Sequence, residues 1–187
     1  MLLPTSPDAV RTAEQLRAQF NERPVRLLIS DGDDQTDGGD LIIGLSKALA
    51  CSESTNTLIL DFGTESKALA RCLADAAMNR SEHADHTENA TDIDSDVHYV
   101  RVEPLGSEKV LPASALTKIE DSHESYDWIV VRGSPLDEEG SYRIMSRVDK
   151  TIALFAKDKS SLSNVQEIER KHRSITQQNL AVLLVSD

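Results

Sequence analysis

The residues best placed to do chemistry in this chain are a group of acids and one arginine at the ends of apolar runs. Asp31, Asp33, Asp34, Asp37 and Asp40 crowd the glycine-bearing stretch between the run Val25 to Ile29 and a helical pattern that begins at Leu41. Asp61 ends the run TLILD, and Arg132 follows the run WIVV. A glycine-rich loop between a strand and a helix is where backbone N–H groups cradle phosphate oxygens, provided that a Lys reaches the terminal phosphates and a Ser or Thr hydroxyl holds magnesium. No Lys or Arg lies between Arg26 and Lys47, and the five carboxylates of the loop would repel a polyphosphate. The layout is that of a phosphate site, without the residues that bind phosphate.

Other chemistries fit less well. Asp31, Asp33, Asp34 and Asp61 are oxygen donors that a divalent cation could use. A phospho-acceptor arrangement would need its acceptor one strand and helix later than Asp61 stands. His83, His86 and Glu88 have metal-ligand spacing but sit in the least apolar segment of the chain, which reads as a solvated loop. Cys51 and Cys72 have no such spacing and read as reduced structural thiols. No Ser, His and Asp set, and no Cys and His set, stands on strand ends, so nucleophilic hydrolysis has no support.

The elements that must position these residues alternate along the chain. The patterns predict helices from Leu41 to Ala50 and over Ser66 to Met78, Ala113 to Ser122, Ser141 to Arg147 and Ser161 to Arg173, and the family resemblance given below implies one more over Ser6 to Arg17. Strands are predicted at Val25 to Ile29, Thr57 to Asp61, Val97 to Val102, Trp128 to Val131, Thr151 to Phe155 and Leu180 to Val185. Residues 79–96 are acidic and almost without apolar side chains, which predicts a mobile loop. Strands alternating with helices imply a parallel sheet covered on both faces, with the loops after Ile29, Leu60 and Val131 meeting at the carboxyl ends of the strands.

Composition narrows the function. With 187 residues, 39% of them hydrophobic, the expectation is one domain over 1–187. A net charge of −12 argues against nucleic acid, which needs clustered Lys and Arg, and against acidic membranes. No apolar run approaches the roughly 20 residues that span a bilayer. Met1 to Phe20 lacks the regions of a secretory signal, so the expected location is the cytoplasm.

Landmarks along nearly the whole chain carry a family resemblance. They are SPDAVRTAEQLR, then Ser30 with GLSKALA, then TLILDFGTE, YDWIVVRGSP, RVDKTIALFAKDKSSL and NLAVLLVSD. In this order they resemble the MinD/ParA class of P-loop ATPases. The resemblance is strongest to the ATPase domain of bacterial tyrosine kinases and of exopolysaccharide or capsular polysaccharide chain-length proteins. It implies a three-layer α/β/α fold with a mostly parallel sheet. In that register Asp37, Gly38, Gly39 and Asp40 stand where the family has Gly-Lys-Ser-Thr. Asp61 is kept, but Gly63 and Glu65 replace the Asp and Arg of the second motif. Tyr126, Asp127 and Pro135 are kept in the third motif, while Arg132 replaces its magnesium-associated Asp. Asp149 also matches. On the first helix Asp8 and Arg11 match residues that the family uses in ring assembly, and Glu14 replaces the second arginine.

The resemblance therefore implies a degenerate nucleotide site at Gly38, Gly39, Asp40, Asp61, Gly63 and Arg132, and an interface at Asp8 and Arg11. The expected function is a non-catalytic pseudo-ATPase or pseudokinase, an interaction or regulatory domain with no cofactor. Its partner would be a membrane polysaccharide-assembly or chain-length protein, or an active homologue. Homo-oligomers are left open, as is attachment to the inner membrane through the partner. The alternative is an ATPase-like or kinase-like enzyme that binds ATP and magnesium, or a divalent metal, in an atypical site. A guanidinium at position 132 could fill the space of the missing cation and pair with Asp40, Asp61 or Asp31. Otherwise Arg132 is a surface residue and the acids form a solvated loop.

Overall fold

The computed structural model describes residues 7–32, 37–51, 55–63, 66–78, 91–102, 117, 121, 125–133, 136, 139–157, 160–176 and 180–185. Its strands are β1 (Val25–Asp31), β2 (Thr57–Asp61), β3 (Thr91–Asp94), β4 (Val97–Arg101), β5 (Trp128–Arg132), β6 (Lys150–Ala156) and β7 (Leu180–Val185). The helices are α1 (Pro7–Gln19), α2 (Gly39–Ala50), α3 (Lys67–Met78), α4 (Glu139–Met145) and α5 (Leu162–Ile175). One sheet runs in the order β3-β4-β2-β5-β1-β6-β7, parallel throughout except for β3.

Alternation along the central strands builds the layers. Successive side chains of a strand point to opposite faces. Val25, Leu27 and Ile29 of β1 and Trp128 and Val130 of β5 therefore join one cluster, with Ala9, Ala13 and Leu16 of α1, Ile42 and Leu45 of α2, and Leu69 of α3. Leu28, Ile129 and Val131 join the other, with Ile144 of α4 and Ile168 of α5. The central strands are buried on both faces and read as continuous apolar runs for that reason. The result is the expected α/β/α arrangement.

One expectation needs changing. The acidic loop over 79–96 is interrupted by β3, which pairs antiparallel with β4 through Thr91↔Tyr99 and Asp92↔His98. Ile93, buried on α3's side of the sheet, supplies the apolar contact that this polar stretch hid. Residues 79–90, including His83, His86 and Glu88, lie outside the described residues, as does most of the helix expected at Ala113 to Ser122. Lys47 on α2 is buried and reaches Asp94 Oδ2 at 3.8 Å, tying the edge strand to the helix beneath it.

Helix α1 docks on α2 with its small residues Ala9, Thr12 and Ala13 inward. Arg17 in its last turn donates to the carbonyl oxygens of Ala48 and Leu49. Those carbonyls belong to the end of α2, where the helix dipole favours a cation. Because hydrogen bonds to a charged donor contribute about 2 kcal/mol, Arg17→Ala should lower the unfolding free energy by about that amount in urea titrations. Arg17→Lys, which keeps the charge without the fork, should recover only part of it.

Candidate functional site

The same alternation places the candidate site. Asp31, Asp61 and Arg132 fall on the α2 face at the carboxyl ends of three adjacent strands, β1, β2 and β5. Register brings them together: Asp61 is paired with Arg132 across β2 and β5, and with Arg101 across β2 and β4. A buried carboxylate thus lies between two arginines in one row. Asp61 is 1% exposed and Arg132 2% exposed, so the interaction occurs out of water.

Every oxygen of Asp61 is engaged. Oδ1 accepts from the backbone N–H of Gly63 at 2.9 Å and from Arg132 Nη1 at 3.0 Å. Oδ2 accepts from the Tyr99 hydroxyl at 2.8 Å and from Arg101 Nη1 at 2.5 Å. Burial, followed by the charge of Asp61, pushes the Tyr99 phenol well above its ordinary range, which keeps it a neutral donor. Burial works to lower the Arg101 guanidinium, but the Asp61 carboxylate outweighs it and holds the group above its usual value. Arg132 also places Nη2 3.9 Å from Asp31 Oδ2. Gly63 leaves the space that this requires, since a Cβ there would stand 2.6 Å from Arg132 Nη1 and 3.1 Å from the Gly133 carbonyl oxygen.

The opening of α2 is closed in a second way. Its first N–H groups have no partner within the helix and would face an incoming anion. Gly38 donates its N–H to Asp31 Oδ1 at 3.2 Å, and Gly39 donates to Asp37 Oδ1 at 3.1 Å. Asp37 also accepts from the Ser66 hydroxyl at 2.6 Å and from the backbone N–H of Lys67 at 3.2 Å. One carboxylate therefore bridges the N-terminal ends of α2 and α3, where both helix dipoles favour negative charge. Burial works to raise its pKa, but the hydrogen bonds from Ser66, Gly39 and Ala68 and the charge of Arg132 hold it below the ordinary value. Ser66 in turn accepts from Leu69 N–H at 3.2 Å, so it caps α3 while it holds Asp37.

The remaining expected residues fall elsewhere. Asp40 does not face Arg132. It is exposed in the first turn of α2 and pairs with Arg71 of α3 at 3.2 Å, because the helix turns it outward from the sheet. Asp8 and Arg11 are exposed on the outer face of α1. Asp33, Asp34, Glu65 and Pro135 lie outside the described residues. Asp127 and Asp149, at the opposite ends of the strands, accept from the backbone N–H groups of Asn56 and Arg26, at 3.0 and 2.8 Å. Tyr126 is there too, with its hydroxyl 2.7 Å from His98 Nδ1. Arg101, Tyr99 and Ser66 were not singled out in the sequence. Aligning TLILD with VHYVR in parallel sets Arg101 opposite Asp61, which is the signal that finds it.

Among the described residues, no group of three or more His, Cys, Asp or Glu is disposed to hold a metal ion, and no helix is long and apolar enough to cross a membrane.

No protein-family model matches the sequence, and no curated protein matches it. Solved structures do match. The fold is similar to the VpsO kinase domain, with a TM-score of 0.74 at 17% identity, covering 96% of this chain and 93% of that one. It is similar to the kinase domain of the Escherichia coli tyrosine kinase ETK, with a TM-score of 0.69 at 13% identity over 95% and 76% of the two chains. A chain of the MinC:MinD cell division protein complex from Aquifex aeolicus gives 0.64 at 17% identity over 86% and 68%. The protein has the fold of bacterial tyrosine kinase domains and MinD/ParA ATPases, as its motifs implied.

Two outcomes follow from the site's electrostatics. Removing one partner of a buried ion pair is costly even though Asp61 keeps Arg101, Tyr99 and the Gly63 N–H, so Arg132→Leu should destabilise the protein by about 3 kcal/mol in denaturant unfolding. Arg132→Leu combined with Asp61→Leu should cost less than the sum of the single changes. The carboxyl of Asp37 titrates below its ordinary value of 3.8 in the folded protein. Its contribution is therefore complete above that value and is lost as the pH falls through the folded pKa. Asp37→Asn should lower stability at neutral pH and flatten the acid limb of a stability-against-pH curve.

Proposed function

We propose that this chain is a non-catalytic interaction domain, a pseudo-ATPase or pseudokinase whose own side chains occupy the place of the nucleotide. It shares its fold with the VpsO and ETK kinase domains. The observation that carries the reading is Asp37, whose carboxylate takes the N–H groups at the openings of two helices. A phosphate would have to displace it and Asp31 together. Arg132 supplies the positive charge that a cation would bring, and it is committed to Asp61.

On this reading the domain has no cofactor and acts by binding. The partner is a protein of polysaccharide assembly at the membrane, such as a chain-length regulator, or an active homologue of the domain itself. Two features support binding as the role: an outer face of α1 that carries Asp8 and Arg11 in the open, and a similar fold in a complex of two proteins, MinC and MinD. The same partner would hold the domain at the inner membrane.

Thermal unfolding in the presence of ATP, ADP and magnesium tests the reading. A ligand at 100 times its dissociation constant adds about 2.7 kcal/mol of stability. No shift is expected with either nucleotide, with or without magnesium. A clear upward shift with ATP and magnesium would reject the non-catalytic reading in favour of an enzyme with an atypical site.

A further inference from the structure

One row of titratable side chains lies outside the candidate site. Tyr126 stands two residues before β5, at the amino ends of the strands, and so at the far end of the sheet from Asp61. Alternation places its neighbours. Val97 and Tyr99 of β4 belong to the α2 face, so His98 between them falls on the other face, where Tyr126 packs beside the cluster that holds Ile144 and Ile168. Asp92 is paired directly with His98 across the antiparallel ladder of β3 and β4, and opposed residues of such a ladder share a face. A carboxylate, an imidazole and a phenol therefore follow one another from the edge strand toward β5.

The order of these groups is chemically specific. His98 has its Nε2 3.8 Å from Asp92 Oδ1 and its Nδ1 2.7 Å from the Tyr126 hydroxyl oxygen, and the two rings meet edge to face with centroids 5.4 Å apart. An ionised carboxylate only accepts, so it favours the tautomer that carries the proton on Nε2. Nδ1 is then bare, and the phenol is the donor. An imidazole oriented by an acid and aimed at a hydroxyl is the arrangement by which weak oxygen nucleophiles are activated. Burial, followed by the charge of Asp92, pushes the Tyr126 phenol above its ordinary value. Phenolate is thus not formed in advance, and the proton must leave as a new bond forms. Among the described residues, His98 is the only base within hydrogen-bond reach of that proton. All three side chains are partly exposed, which gives a reagent access to the oxygen.

We propose that Tyr126 is a nucleophile that takes an acyl group from an activated acyl donor, with His98 as its general base and Asp92 positioning that base. The phenol oxygen bonds to the acyl carbon, and the bond from that carbon to its leaving group breaks. The phenol proton passes to His98 Nδ1 and from there to the leaving group. The product is an aryl ester on Tyr126. An uncharged donor fits better than an anionic one, because Asp92 stands beside the imidazole and Asp127 follows the phenol in the chain. The inference is independent of whether the nucleotide site is closed.

N-acetylimidazole, an uncharged acetyl donor, tests the proposal on the whole chain, with tyrosyl peptides followed by mass spectrometry. Tyr126 should be acetylated faster than N-acetyltyrosine amide under the same conditions. His98→Gln should slow its labelling by about 100-fold, the size of general-base assistance, with an unchanged circular dichroism spectrum. Tyr99, which is buried and donates to Asp61, should stay unlabelled over the same time. Heteronuclear NMR should find the neutral His98 ring protonated on Nε2 and bare on Nδ1. Asp92→Asn should slow the labelling and spread that proton over both nitrogens, a change that a merely structural role for Asp92 would not produce. Labelling of Tyr126 no faster than that of the free amide, or an equal rate in His98→Gln, would overturn the proposal. A His98 proton on Nδ1 in the unaltered chain would overturn it equally.

Discussion

A single buried carboxylate sets the terms for the carboxyl end of the sheet. Asp61 ends the strand next to the centre and has almost no contact with water. An ion in that position is tolerated only when charge and hydrogen bonds replace its hydration. Here the replacement is complete, with two guanidiniums, a phenol and a backbone N–H around two oxygens. Each donor fixes something further. Arg132 demands a glycine at 63, while Arg101 and Tyr99 hold β4 beside β2.

The opening of α2 follows a related rule with different means. Helix N-termini leave donors unsatisfied, and anions complete them. In this chain the anions are covalently attached to the loop that precedes the helix. Asp31 serves Gly38 from the end of β1, and Asp37 serves both α2 and α3. Carboxylates held in place cost no binding entropy at the moment of use, which gives them an advantage over a free phosphate of similar contact geometry. Arg132 and the carboxylates of Asp31 and Asp61 that it meets offset part of each other's charge.

Much of this was legible in the sequence, and the rest was not for identifiable reasons. Continuous apolar runs that end at Asp61 and just before Arg132 gave the strands. The alternation of strands with helices put the loops after β1, β2 and β5 at one end of the sheet. Arg101 stayed hidden because nothing in VHYVR announces which strand it will lie beside; the order β4-β2-β5 is a tertiary fact. Asp40 was misplaced because proximity in sequence to Gly39 says nothing about direction once a helix begins, and one further step around α2 turns the side chain toward Arg71. The strand β3 was missed for a compositional reason. Its acids face solvent or Lys47, and a single Ile93 carries its burial.

The glycine at 63 has a consequence for the routes by which such a sequence can change. Any side chain there meets the guanidinium of Arg132, so the two positions are coupled without being neighbours in sequence. Exchanging Arg132 for an aspartate, with all else unchanged, would set a new carboxylate beside Asp31 and Asp61 and remove the guanidinium that meets both. Like charges at such distances disfavour each other strongly. That single step therefore runs uphill, and an acidic residue at 132 requires other substitutions with it. The site is held where it is by mutual dependence among its residues, a form of epistasis that would persist even if selection on the pocket itself were removed.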